Sequence, residues 1–154
     1  MVPPMNEPRI YLDTNVFIAA YENKHARGAH AWRILTAIDD GEFVGVTSEL
    51  TLAEFLVRPL EEQDYDRAQH YQDIISPNAG LDVPTVNRAV LMEAAALRAV
   101  QKSLRLPDAI HVATARLNEC SHIVSDDRRL PFAPGLGIVQ LGPDALQAIR
   151  VKKR

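Results

Sequence analysis

The sequence has one cysteine, no long apolar run, no surplus of positive charge and no nucleotide-binding loop, and each shortage narrows the reading. Cys120 can form no internal disulfide and has no second thiol with which to hold zinc, so it reads as a small core residue in a reducing compartment. No stretch approaches the roughly 20 apolar residues needed to cross a bilayer, and residues 1–9 lack the apolar centre of a secretory signal. A cytoplasmic protein with no membrane partner is therefore expected. The histidines at 25, 30, 70, 111 and 122 never fall at an i, i+4 ligand spacing, which argues against zinc. Walker, GxGxxG and GxSxG patterns are absent, so nucleotide-binding and serine-hydrolase readings have no support. A net charge of −3 gives no general attraction for a phosphate backbone.

Positive charge is instead local. Arg150, Lys152, Lys153 and Arg154 make a basic tail, read as a solubilising end, and Arg98, Lys102 and Arg105 cluster ahead of Asp108. If several of the 20 acids gather around metal ions, the whole-chain figure misleads.

With 154 residues, 47% of them hydrophobic and 24% charged, the chain fits one ordinary globular domain over 1–154, with 1–8 as an N-terminal extension and 150–154 as the tail. Arg9-Ile10-Tyr11-Leu12 reads as a buried strand ending at Asp13 and turning into a helix at Thr14-Asn15. Ala31, Ile34, Leu35 and Ile38 predict a helix over about 25–40 that stops at Gly41. A strand over 43–47 follows, then a helix over 49–57 capped by Ser48 and closed by Pro59. Residues 61–75 have helical spacing, 81–83 make a weak third strand, and Val86, Val90, Ala94 and Leu97 mark a helix to about Ser103. Pro107 opens a nearly all-apolar, buried helix to about Glu119. Strands over 122–125 and 138–141 and a short final helix complete an α/β pattern with a parallel sheet covered on both faces.

In open parallel sheets, ligands bind beyond the carboxyl ends of the strands. Asp13 lies at the end of the first strand and the doublet Asp126-Asp127 follows the fourth. Each acid taken alone can be a helix cap. Glu54 is different: it stands alone among Leu52, Ala53, Phe55 and Leu56, and a buried carboxylate without a partner would give up its charge. Asp108, in the first turn of the buried helix, is explained equally well by the helix dipole. Four acids converging in one crevice would be tolerated around a divalent cation, and oxygen ligation indicates Mg²⁺ or Mn²⁺. Such a site suits phosphodiester hydrolysis, with one ion or with two roughly 4 Å apart. His111, one turn after Asp108, could orient that acid or a substrate, although packing is its plainer role; packing is likewise the plainer role for Trp32.

Four segments together resemble the motifs of the PIN-domain family: Ile10-Tyr11-Leu12-Asp13-Thr14-Asn15, Thr47-Ser48-Glu49-Leu50-Thr51-Leu52-Ala53-Glu54, Leu106-Pro107-Asp108-Ala109 and Ile123-Val124-Ser125-Asp126-Asp127. The likeness runs over about 9–141. It implies a three-layer fold with a five-stranded parallel sheet in the order 3-2-1-4-5 between helices. It also implies catalytic and metal-ligating roles for Asp13, Glu54, Asp108 and Asp127. Asn15 would orient Asp13 through a hydrogen bond, and Ser125 would replace the family's usual threonine as a hydroxyl donor. Asp126 stands where asparagine is common, which leaves open which member of the doublet faces the metal. Stand-alone domains of this length resemble VapC toxins. That likeness implies an endoribonuclease acting on structured RNA (tRNA, rRNA or mRNA), a cognate antitoxin and a homodimer.

Other readings fit less well. Phosphatases of the haloacid-dehalogenase type carry Asp-x-Asp after the first strand, where this chain has Asp13-Thr14-Asn15. A receiver-like domain needs an acid after the third strand, where Val83-Pro84 stand. A PIN scaffold that binds RNA or protein without cutting would be expected to have lost an acid, and none is lost.

Overall fold

Side chains alternate in direction along a strand, and the first strand uses both directions for burial. In the computed structural model, which describes residues 7–22, 25–126 and 130–151, β1 (Arg9–Leu12) sends Ile10 and Leu12 into one core and Tyr11 into the other. Residues 1–6 of the extension, Asp127, and Lys152 to Arg154 of the tail lie outside the described residues.

Five parallel strands form the sheet: β1, β2 (Val44–Val46), β3 (Leu81–Asp82), β4 (His122–Ser125) and β5 (Gly137–Gln140), in the order β3-β2-β1-β4-β5. This is the order implied by the resemblance. Gly137 is opposite His122, and a methyl group on it would come within 2.5 Å of that imidazole, so the pairing needs glycine.

On the first face lie α1 (Thr14–Glu22), α2 (Ala26–Asp39), α3 (Glu49–Phe55), α4 (Val57–Glu61), α5 (Tyr65–Ile74) and α8 (Ala145–Arg150), whose apolar sides enclose Val16, Phe17, Ile34, Phe55, Tyr71 and Ile149. The opposite face is covered by α6 (Arg88–Val100) and α7 (Leu106–Leu117), around Val90, Leu97, Val112 and Ile123. Every residue from Ala109 to Ala115 is buried, and each large apolar side chain so covered stabilises the fold by roughly 1.5–3 kcal/mol before entropy is counted.

Local chemistry sets most boundaries. Gly41, at φ +80°, stops α2 in the left-handed conformation that glycine adopts without strain. The Ser48 hydroxyl accepts from Leu50 N at 3.0 Å to start α3, and the Asn87 side chain accepts from Val90 N at 3.0 Å to start α6. Other expectations need correction. Pro59 does not close a helix; it is the third residue of α4, where a missing N–H removes no intrahelical bond. Val86 packs on the second core from the loop before α6, and that helix ends at Val100, before a turn in which Leu104 N bonds Gln101 O at 3.1 Å. Arg150, expected in a solubilising tail, reaches back to Glu42 at 2.5 and 3.0 Å and ties α8 to the loop after α2. Trp32 donates to Ala20 O at 2.7 Å and meets Tyr21 edge-on, so it joins α2 to α1.

Candidate active site

The end of β1 is fixed before any side chain is considered. Asp13 N donates to Val124 O at 3.0 Å, continuing the ladder with β4 and holding Asp13 beside Ser125. Asp13 is 7% exposed. Its Oδ1 accepts from Thr14 N at 2.7 Å and its Oδ2 from Ser125 Oγ at 2.8 Å, so both oxygens are oriented and each retains acceptor capacity. Ser125 is thus a hydroxyl donor to Asp13. Asn15 makes no hydrogen bond to Asp13 among the described residues, contrary to expectation; the first turn of α1 holds the carboxylate through the Thr14 amide instead.

Glu54 projects from α3 toward the same place. Its Oε1 accepts from Thr14 Oγ1 at 2.8 Å and meets His111 Nε2 at 2.6 Å. The His111 ring is buried, with Nδ1 2.6 Å from the Tyr11 hydroxyl and Nε2 3.6 Å from Asp13 Oδ1. Burial opposes ionisation of Glu54, but the hydrogen bond and charge of His111, with help from Thr14 and Arg105, outweigh it and hold its carboxyl below the ordinary range. Burial also opposes charging of His111, and the Glu54 hydrogen bond with the charges of Asp13, Glu54 and Asp108 overcomes it, raising that pKa. Burial, then the charge of Asp13, pushes Tyr11 well above its normal range, which keeps its hydroxyl neutral.

Asp108 enters from the first turn of α7, with Oδ2 3.2 Å from Arg105 Nε. Asp126, just beyond β4, pairs through Oδ2 with Arg27 at 2.9 Å, and its Oδ1 is buried with no hydrogen-bond partner among the described residues. Asp13, Glu54, Asp108 and Asp126 line one cavity of about 450 Å³, with Asn15 and Arg105 on its wall. The structure therefore brings three of the four expected acids together. The fourth, Asp127, lies outside the described residues, while its neighbour Asp126 borders the cavity.

The donor set is all oxygen, with Asp13 buried and Glu54, Asp108 and Asp126 partly exposed, and one of its oxygens has no partner among the described residues, which suits a hard divalent cation. Among the described residues, no three histidine, cysteine or acidic groups lie close enough together to hold a metal ion.

The PIN-domain family model matches residues 10–135. The chain belongs to the PIN-domain family. Solved structures of similar fold include a toxin–antitoxin complex from Klebsiella pneumoniae, at 22% identity, covering 84% of this chain and 95% of that one, TM-score 0.64. Another is the sarcin-ricin-loop-cleaving toxin VapC20 of Mycobacterium tuberculosis, at 20% identity, covering 79% and 92%, TM-score 0.64. A third is DNA-bound VapBC from Salmonella typhimurium, at 18% identity, covering 87% and 98%, TM-score 0.66. No curated protein sequence matches significantly.

In this PIN domain the sequence reading missed how Thr14, Tyr11 and Arg105 enter the site. His111 was noticed as one turn beyond Asp108, yet its bond is to Glu54, 57 residues away. The available signal is an ionisable ring inside the Ala109–Ala115 run, which is apolar but for His111 and Thr114.

Proposed function

We propose that this PIN domain is a Mg²⁺- or Mn²⁺-dependent endoribonuclease that hydrolyses phosphodiester bonds of structured RNA (tRNA, rRNA or mRNA). It would act as the toxin of a cytoplasmic pair, as a homodimer silenced by a cognate antitoxin. The observation that carries the reading is the cavity at the carboxyl ends of β1 and β4 walled by Asp13, Glu54, Asp108 and Asp126. Family membership and the toxin–antitoxin assemblies of similar fold support it.

Asp13 and Asp108, with one member of the Asp126-Asp127 doublet, are the groups to hold the cation, and Glu54 completes the set. A cation bound there supplies Lewis-acid polarisation of the phosphodiester and acidification of water. Thr14 and Ser125 keep Asp13 aimed by bonding both of its oxygens. His111 keeps Glu54 ionised and fixed in one orientation, able to ligate or to accept a proton. Arg105, on the cavity wall, can transfer from Asp108 to a phosphate oxygen of the substrate.

The test is incubation of the purified chain, freed of any partner, with tRNA and rRNA hairpins. Cleavage that needs Mg²⁺, stops with chelator and is lost in Asp13→Asn is the expected result; intact RNA throughout, or equal cutting by Asp13→Asn, defeats the proposal. That no three histidine, cysteine or acidic groups among the described residues lie close enough to hold a metal ion favours one second reading, a PIN scaffold that binds without cutting. Calorimetric titration with Mg²⁺ separates the two, since saturable binding belongs to the nuclease.

A further inference from the structure

Among the described residues, only two buried side-chain polar atoms lack a hydrogen-bond partner, His30 Nδ1 and Asp126 Oδ1. Buried polar groups are nearly always paired, so each exception needs an explanation. Both residues border the same hollow, about 540 Å³ in volume, between the first turns of α2 and the β5–α8 connection. That volume lies within the roughly 300–1,000 Å³ typical of small-molecule sites.

The hollow adjoins the acidic crevice, because Asp126 lines both, and a further hollow of about 530 Å³ shares Arg27 and Asp126 with it and Asn15 and Asp126 with the crevice. Its lining is chemically mixed. At the crevice end, Arg27 pairs with Asp126 through a single guanidinium nitrogen at 2.9 Å, and its side chain is half exposed. Four of its five N–H donors are left for a phosphate. Gln140 and Asp144 supply an amide and a carboxylate acceptor suited to the edge of a base, while Ile138 and Ala148 give an apolar surface for its face. The His30 ring, whose Nδ1 has no partner among the described residues, lines the same hollow.

We infer that this hollow is a nucleotide subsite, holding the nucleotide next to the cut phosphate with its phosphate on Arg27 and its base against His30, Gln140 and Ala148. The inference rests on the nuclease reading for its place in a reaction, but the binding itself can be tested without it. In metal-free buffer the full chain is titrated with nucleoside 5′-monophosphates, and separately with inorganic phosphate, while backbone amide signals are followed by NMR. Saturable shifts at Gly142 and Ala145 with nucleotides, not reproduced by phosphate alone, are expected. Ala148→Trp, at an exposed helical position that overhangs the hollow, should abolish them while leaving the melting temperature unchanged. His30→Ala, which removes a ring from the lining of the hollow, should weaken binding about tenfold.

With an RNA substrate, the same two variants should raise KM about tenfold and leave kcat nearly unchanged, the mark of a contact made equally in ground and transition states. Nucleotide binding by a chain that cuts no RNA would uphold the subsite and defeat the nuclease reading. RNA cleavage with KM unmoved in both variants would do the reverse. Shifts matched by inorganic phosphate alone, or surviving Ala148→Trp, would overturn the subsite.

Discussion

Glu22 and Asp13 are two acids of nearly equal burial, with side chains 7% and 10% exposed, and they are treated in opposite ways. Glu22, at the end of α1, is surrounded by compensation: Arg67 at 2.9 Å, Arg58 at 3.5 Å and the Tyr71 hydroxyl at 3.1 Å. Asp13, at the start of the same helix, bonds only an amide and a hydroxyl, with His111 at 3.6 Å and three more carboxylates around the same cavity. A buried charge is tolerable when it is paired, so Glu22 belongs to the fold. Around Asp13, each of Glu54, Asp108 and Asp126 has a cationic neighbour, yet all four carboxylates share one cavity, which is the arrangement expected where a further positive ligand completes the site. One nine-residue helix thus ends on a compensated acid and begins directly after one that borders the cavity.

The strongest way to break this comparison is to exchange the outcomes of the two acids. Asp13→Asn should lower RNA cleavage by about 10²–10³-fold, the scale on which single electrostatic contacts to a transition state act. The metal-free melting temperature should stay the same or rise, because one of several crowded negative charges is removed. Glu22→Gln should do the opposite, leaving cleavage unchanged and lowering stability by about 1–2 kcal/mol in a denaturant titration. That is less than the roughly 3–5 kcal/mol of a fully buried pair because Arg58 is exposed to solvent. If Asp13→Asn proved the destabilising change, the division between the two sites would fail.

A finer test concerns the residue that supports Glu54. His111→Asn removes the 2.6 Å bond to Glu54 Oε1 and should weaken Mn²⁺ binding about 10–100-fold, the usual range for a group that orients a metal ligand. An equal loss of stability with unaltered Mn²⁺ affinity would make His111 a packing residue only. The smallest effect is expected at Cys120, which belongs to neither acid cluster. Burial pushes its thiol up to about 12, so at pH 8 it should resist alkylation in the folded chain and react once the chain is unfolded, as thiol mass labelling would show.

These contrasts also show what can be read from a linear sequence. The strand with buried residues on both sides, the stop at Gly41 and the cap at Ser48 depend on neighbours within one turn or one pleat, and they were legible. Glu54 could be singled out because an acid in an apolar helix needs a partner. The partner's identity could not be deduced, since His111 arrives from α7 on the other face of the sheet and reaches Glu54 only because β1 and β4 lie side by side. For the same reason Glu22 attracted no attention, as its arginines come from α4 and α5. Pro59 was misjudged because one proline ends a helix or begins one, depending on where the preceding turn finishes.

The most direct measurement is anomalous diffraction from a crystal soaked in Mn²⁺. The account predicts a peak in the hollow walled by Asp13, Glu54, Asp108 and Asp126, absent from Asp13→Asn crystals, and none beside Glu22. An empty hollow with the carboxylates turned apart, or manganese bound equally well without Asp13, would contradict it.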